Sequence, residues 1–407
     1  MYKRTKLACY ATNLSMSVVC NLSPLLFVTF REMYDISYTL LGFLVVVNYS
    51  TQLLVDLIFT FFERRFNIAV AVRVTPVVAL FGLLLYAVMP SLFPQSAYWW
   101  LVIGTVIFSV AMGLCEVLIS PVIAGIPAEN PEHEMSKLHA VYAWGVVGVV
   151  VVSTLFLLLV GRENWRYLAL LWCLLPLIAS ILFARAPLPP MEHGTTDGQG
   201  ASRLSIGILL CAGCIFLGGA SECTMAQWVS GYIENALAIP KVVGDIAGVA
   251  LFSVMMGIGR TMYGRIGKNI SRVMLCGMAG AFVCYLIASL SGSPIVCLIG
   301  CVACGICVAM LWPGTLIWMG ERFPTAGVAA YALMAAGGDF GASVAPQLVG
   351  VLADTVAGSP VAQSLAATLS LTTEQIGIRA GMLTASIFPL MGTLLVLYMR
   401  RYFKKHE

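Results

Sequence analysis

Three carboxylic acids lie inside long apolar stretches of this sequence, where an ionised group is costly. Glu116, Glu222 and Asp339 are each followed and preceded mainly by apolar or small residues. Acids in such surroundings mark paths for protons, ions or polar solutes more often than they serve packing alone. We therefore take these three acids as candidate cation-coupling residues, which would bind and release a proton or another cation.

Each acid also has a structural interpretation, which the sequence leaves open. Glu116 could pair with a neighbouring hydroxyl or with Arg73. Glu222 follows a pair of glycines that permits its helix to bend. Asp339 lies among glycines that allow close helix contact, so it could hydrogen-bond across that contact.

A second group of side chains could hold a polar solute by hydrogen bonds and by ring stacking. Asn48 and Gln52 are four residues apart and share one helix face, as do Trp228 and Tyr232. Trp99, Trp100 and Trp165 are typical of membrane-interface anchors instead. The candidate substrate-binding residues are Asn21, Asn48, Gln52, Glu116, Tyr142, Trp144, Gln227, Trp228 and Trp312.

Two charged residues near predicted helix ends are candidates for gating. Asp56 and Arg260 could each form a charge pair that stabilises one conformation. Solvated interface residues are the alternative for both positions. Neither residue type decides between the two interpretations.

The composition determines what must position these residues. The chain has 407 residues, of which 60% are apolar and 10% charged, whereas a soluble domain is about 45–50% apolar and about 25% charged. Lipid must therefore solvate most of the surface. A membrane helix needs roughly 20 apolar residues, and twelve stretches qualify: 7–30, 38–62, 68–89, 98–124, 138–160, 165–185, 204–233, 242–264, 271–291, 294–319, 326–353 and 377–399.

The distribution of basic residues predicts the orientation of these helices. With the N-terminus inside, most Lys and Arg fall in inner segments, as do Arg64, Arg65, Arg265 and Lys268. The positive-inside rule then places both termini in the cytoplasm of a multi-pass protein of the cell membrane. The net charge of +4 comes without a basic tract, so we expect no nucleic-acid partner.

The two halves of the chain repeat each other. Gly113-Leu114-Cys115 followed by Pro121 corresponds to Gly305-Ile306-Cys307 followed by Pro313. Parallel halves of six helices are the arrangement of major facilitator transporters. We predict an all-α transmembrane fold of twelve helices in two pseudo-symmetric six-helix bundles. The expected boundaries are residues 1–185, a cytoplasmic linker at 186–203, and residues 204–407.

Several segments resemble the major facilitator superfamily. The segments Phe62-Glu63-Arg64-Arg65-Phe66 and 259–268 are similar to the acidic-then-basic signature that follows the second helix of each half. Residues 113–121 resemble the fourth helix of the fucose-permease branch of sugar:cation symporters, with Ser120 replacing an Asn. Glu222, Trp228 and Tyr232 are similar to a helix-seven pattern in related members. This resemblance implies that Glu116 binds sugar and carries a proton.

The first predicted helix differs from that branch. It has Cys20-Asn21 where the fucose permease has Asn-Asp, and it contains no acid. Glu222 is the first candidate to replace the missing acid. We expect a symporter that moves a small polar solute such as a sugar with a proton or sodium, and the alternative is an exporter of amphipathic or drug-like compounds.

An enzyme or scaffold is not expected, since the sequence has none of the common hydrolase, metalloprotease or phosphate-binding motifs. The Cys-x-x-Cys pairs lie in apolar runs, which indicates packing residues rather than metal ligands. We accordingly expect no cofactor and no bound metal. Lipid would surround the chain as a monomer.

Overall fold

The structure of the chain, a computed structural model, describes residues 2–36, 38–190, 206–237, 248–324, 327–369 and 371–405. Regular secondary structure in these segments is helical, which confirms the all-α prediction. The first half contains α1 (Lys3–Tyr34), α2 (Tyr38–Phe62), α3 (Ile68–Leu92), α4 (Ala97–Ala124), α5 (Pro131–Leu159), α6 (Trp165–Trp172) and α7 (Leu174–Ala184). The second half contains α8 (Ile206–Leu237), α9 (Leu251–Ile266), α10 (Ile270–Leu290), α11 (Pro294–Val308), α12 (Leu311–Arg322), α13 (Val328–Ala357), α14 (Pro360–Leu369), α15 (Thr373–Ala385) and α16 (Ile387–Lys405).

Membrane-length helices account for most of the described chain. Ten stretches of the described residues are long and apolar enough to cross a bilayer. These include α6–α7, α11–α12 and α15–α16, each of which crosses as a pair of shorter helices. With α1 and α9 added, the helices agree with the twelve predicted crossings. Part of the predicted span 242–264 lies outside the described residues.

Local capping groups determine where several helices begin. The Asn67 side chain accepts a hydrogen bond from the Val70 backbone N–H at the start of α3. Asn130 accepts one from His133 N–H before α5, where Pro131 occupies the first helical position. Both bonds satisfy donors that a helix N-terminus would otherwise leave without an acceptor.

Three predicted helices are divided in the structure, and a proline lies close to each division. The predicted spans 165–185, 294–319 and 377–399 are interrupted after Trp172, Val308 and Ala385. Pro176, Pro313 and Pro389 follow each interruption closely. Proline lacks the N–H that would bond to the carbonyl four residues earlier, so the helix is weakened there.

The chain folds into two compact units. Unit 1 comprises Met1–Arg203 with Thr325–Ala336, and unit 2 comprises Leu204–Pro324 with Gly337–Glu407. The predicted domain boundaries at 185/186 and 203/204 stay a prediction, because residues 191–203 of the predicted linker lie outside the described segments.

Glycines bring α3 and α4 together in unit 1. A Cβ atom on Gly82 would lie 2.6 Å from the Phe108 backbone nitrogen, and one on Gly104 would lie 2.8 Å from the Tyr86 Cβ. Close approach through small residues is the usual way that membrane helices pack.

A cluster of aromatic rings fills the interior beside that contact. Phe30 and Trp165 meet edge to face at 4.9 Å, and Tyr86 and Phe108 do so at 5.6 Å. Trp165 is fully buried in this cluster, so its predicted role as an interface anchor is wrong. Trp99, in contrast, is 65% exposed.

Apolar side chains cover much of the helix surface in both units. Leu54, Phe61, Phe81 and Leu159 in unit 1 and Leu394 in unit 2 are exposed. Exposure of large apolar side chains along membrane-length helices is what a lipid solvent requires.

Candidate functional site

Two carboxylates from different helices approach each other in unit 1. Asp56 belongs to α2 and is fully buried, while Glu116 belongs to α4 and is half-buried. A carboxylate oxygen of each lies within 4.8 Å of the other. Sequence reasoning assigned gating to Asp56 and coupling to Glu116, but the structure brings the two residues together.

The predicted shared face of Asn48 and Gln52 is confirmed. Gln52 Nε2 donates to Asn48 Oδ1 at 3.0 Å, and the Ser109 hydroxyl donates to the same oxygen at 2.6 Å. All three side chains are buried. The Ser109–Asn48 bond joins α2 to α4 about two turns from Asp56, so Asn48 also holds together the two helices that carry the acids.

The other predicted residues of unit 1 lie on α1 and α5. Asn21 is half-buried, and its Nδ2 donates to the Ser17 carbonyl at 2.8 Å. Tyr142 is half-buried, whereas Trp144 is exposed on the same face of α5 as Val151. Arg73, which could have paired with Glu116, is exposed and donates to the Ala186 carbonyl instead.

Sequence reasoning assigned no role to Glu63, which is fully buried in unit 1. Its Oε2 accepts a hydrogen bond of 2.6 Å from the Ala329 backbone N–H, in the first turn of α13. A carboxylate at this position satisfies a helix N-terminal donor and interacts favourably with the helix dipole. The acidic-then-basic signature contains Glu63, which was the available signal, but nothing local identified its partner.

In unit 2, the structure joins two residues that the sequence placed in different roles. Arg260 Nη2 lies 2.9 Å from Glu222 Oε1 and 3.1 Å from Oε2. Both residues are buried, at 2% and 9% exposure. Arg260 Nε also donates to the Ala309 carbonyl at 2.8 Å. The charges of Glu222 and Arg260 therefore compensate each other at the contact of α8, α9 and the α11–α12 break.

The aromatic candidates of unit 2 differ in their surroundings. Trp312 is half-buried, and its ring faces Gly338, where an added Cβ would lie 2.5 Å from ring atom Cζ3. Trp228 is half-buried and donates from Nε1 to the Pro346 carbonyl at 3.0 Å. The Tyr232 hydroxyl is buried and donates to the Ala288 carbonyl. Trp228 and Tyr232 therefore make helix–helix contacts.

The remaining candidates of unit 2 are Gln227 and Asp339. Gln227 is exposed on α8, one residue before Trp228. Asp339 is 3% exposed on α13, directly after two glycines. Its backbone carbonyl accepts a hydrogen bond from the Ser343 hydroxyl at 2.7 Å. Their predicted roles in binding and coupling stay predictions.

The cysteines of the Cys-x-x-Cys runs lie inside helices. Cys211 and Cys214 are fully buried on α8, and Cys301 and Cys304 are fully buried on α11. The Thr315 hydroxyl donates to the Cys214 sulfur at 3.8 Å. These surroundings agree with small packing residues in a helix interior.

Membrane-length helices with buried acids, a buried ion pair and polar networks between helices define a multi-pass membrane protein with a polar interior. The Major Facilitator Superfamily pattern matches residues 8–346. The chain therefore belongs to the major facilitator superfamily, a family of membrane transporters.

Solved structures show the same fold at low sequence identity. The proton:xylose symporter XylE, bound to 6-bromo-6-deoxy-D-glucose, superposes with a TM-score of 0.78 at 14% identity, over 98% of this chain and 95% of that chain. A variant of the fucose:proton symporter FucP of E. coli superposes with a TM-score of 0.68 at 13% identity, over 98% of this chain and 99% of that chain. No curated protein sequence matches this chain significantly.

Proposed function

We propose that this chain is a symporter that moves a small polar solute, such as a sugar, together with protons by alternating access. The observation that carries the proposal is the proximity of Asp56 and Glu116 within unit 1. Two like charges at this distance repel by about 3 kcal/mol at an effective dielectric constant of 20. One shared proton removes that repulsion, so the pair is suited to load and release a proton.

The pair also links protonation to solute binding. A neutral carboxyl can donate a hydrogen bond to a hydroxyl, whereas a carboxylate can only accept one. Glu116 is half-buried, while Asp56 is fully buried. We assign solute contact to Glu116 and charge control to Asp56.

We assign proton coupling to this pair rather than to Glu222. Both carboxylate oxygens of Glu222 already accept from Arg260 Nη2, and protonation of a carboxylate whose charge is compensated in this way is less favourable. Asp339 is a further candidate for coupling.

The solved structures with the same fold support the proposal of a sugar as the solute and a proton as the cation. XylE and FucP are both named as sugar:proton symporters. For this chain we propose a sugar or similar polyhydroxyl compound, with Tyr142, Trp144, Gln227 and Trp312 as further contacts. We also propose a monomer in the cell membrane with both termini in the cytoplasm.

The experiment is uptake into proteoliposomes from a panel of labelled sugars, with and without a gradient of protons or of sodium. An acidic exterior one pH unit below the interior can drive about tenfold accumulation for one coupled proton. Accumulation that depends on the sodium gradient would show that sodium, and not the proton, is the coupling cation. Uptake of no sugar, together with resistance of cells to toxic amphipathic compounds, would favour an exporter.

Glu116→Gln tests the coupling residue. We expect the variant to lose gradient-driven accumulation, by about tenfold to the equilibrium level, because an amide cannot carry the proton. Exchange of labelled for unlabelled solute should persist. The matched control is Glu129→Gln, in the exposed loop between α4 and α5. Undiminished accumulation by the Glu116→Gln variant would make Glu116 a structural residue.

A further inference from the structure

Pro313, near the start of α12, leaves the Ala309 backbone carbonyl without its usual helical partner. In a continuous helix, the carbonyl of Ala309 would accept from the N–H of residue 313. Residue 313 is proline, which has no N–H. A buried carbonyl that lacks a donor destabilises the folded protein.

Arg260 supplies a donor to this carbonyl from a different helix. Its Nε lies 2.8 Å from the Ala309 oxygen, while its Nη2 bonds to both oxygens of Glu222. Arginine has several donors in a rigid planar group, so it can make both contacts at once. Glu222 compensates the charge that this arrangement places in the membrane interior.

The neighbouring glycine makes the contact possible. A Cβ atom on Gly259 would lie 2.6 Å from the Ala309 Cβ. The backbone of α9 therefore approaches the break directly, and this brings the Arg260 side chain within reach of the Ala309 carbonyl.

The corresponding helix of the first half has the same proline without the division. Pro121 corresponds to Pro313 in the sequence repeat, yet α4 continues through it to Ala124. The proline therefore does not divide the helix by itself. In the second half, an arginine supplies a donor to the freed carbonyl.

The break also determines where Trp312 lies. Trp312 comes two residues after Met310, the residue that precedes α12. Its ring lies against Gly338 of α13, and an added Cβ on Gly219 of α8 would lie 3.2 Å from it. A change in the break would move this ring.

We propose that Arg260 is a positioning residue that replaces the missing helix donor at Ala309, holds the α11–α12 break and thereby orients Trp312. Glu222 is the anchor of Arg260. The importance of Trp312 for transport rests on the proposed function, but the capping role does not.

A rescue experiment on the purified chain in detergent tests this role. The paired substitution Glu222→Met with Arg260→Met removes the charges of both residues and the Nε and Nη2 donors of Arg260. It nearly keeps the side-chain volume. It is made in the natural chain and in a Pro313→Ala background, where residue 313 regains an N–H for Ala309. We expect the pair to lower Tm by about 2–4 °C more in the natural chain than in the Pro313→Ala background.

The fluorescence of Trp312 gives a second measurement, obtained as the difference between each chain and its Trp312→Phe counterpart. The paired substitution should shift the emission maximum in the natural chain and leave it unchanged in the Pro313→Ala background. Pro121→Ala is the matched control background. In it, the paired substitution should lower Tm and shift the emission maximum as much as it does in the natural chain.

Equal losses of Tm in the natural chain and in the Pro313→Ala background would overturn the proposal. If the paired variant does not fold, Arg260→Lys replaces it in the same comparison, because lysine keeps the charge next to Glu222 but has no Nε–H for Ala309. Neither measurement needs a transported solute, so a failure here is distinct from a failure of the symporter assignment.

Discussion

Glu63 is a buried carboxylate that bonds to a backbone N–H at the start of a helix. Its oxygen lies 2.6 Å from the Ala329 nitrogen at the start of α13. The two bonded residues are far apart in the sequence, yet both belong to unit 1.

Removing the Glu63 carboxylate should destabilise the protein. We expect Glu63→Ala to lower the free energy of unfolding by about 1–2 kcal/mol, because the Ala329 N–H loses its acceptor and a negative charge near the helix N-terminus is removed. Glu63→Gln should lose less, since its amide oxygen still accepts. Unfolding of the purified variants in detergent measures the difference.

Glu129→Ala is the control for this prediction, because it removes an acid that is exposed in a loop. If Glu63→Ala unfolded at the same temperature as this control, the capping interaction would contribute nothing to stability.

The residue types of the site could be predicted from the sequence, but their partners could not. Glu116 and Glu222 stood out because apolar residues surround them. Ala329 is 266 positions from Glu63, and Arg260 is 38 positions from Glu222 on another helix. Only the packing of the helices brings such pairs together, and hydropathy does not encode that packing.

At the scale of the helix, close packing in unit 1 depends on the absence of side chains at two positions of α3 and α4. We expect Gly82→Ala to destabilise the protein by about 1–3 kcal/mol, because the new methyl would meet the Phe108 backbone. Thermal unfolding in detergent measures this loss.

Gly148→Ala in α5 is the matched control, because an added Cβ there meets nothing within 4 Å. It should keep or raise the stability, since alanine favours a helix by about 1 kcal/mol over glycine. Equal effects at Gly82 and Gly148 would show that close packing at Gly82 does not limit stability.

Hydropathy predicted the helices well and their interruptions poorly. Lipid requires long apolar helices, so the apolar stretches are unambiguous. Pro176, Pro313 and Pro389 coincide with interruptions, but Pro76 and Pro121 lie inside continuous helices. A proline in the sequence therefore does not by itself predict that its helix is interrupted.

At the scale of the whole molecule, the sequence repeat and the helix count together predict where the termini lie. Six helices in each half bring the chain back to its starting side after each half. The two halves are then expected to share one orientation, with most basic residues on the cytoplasmic side of the membrane.

Reporter fusions test this topology in cells. Green fluorescent protein fused after residue 405 should fluoresce, because that end of α16 is predicted to face the cytoplasm. Alkaline phosphatase inserted at Glu163, in the exposed loop between α5 and α6, should be active because that loop is predicted to face outward. Exchanging the two reporters is the control and should abolish both signals. Phosphatase activity at both positions would place the α5–α6 loop and the C-terminus on the same side, which two parallel six-helix halves do not allow.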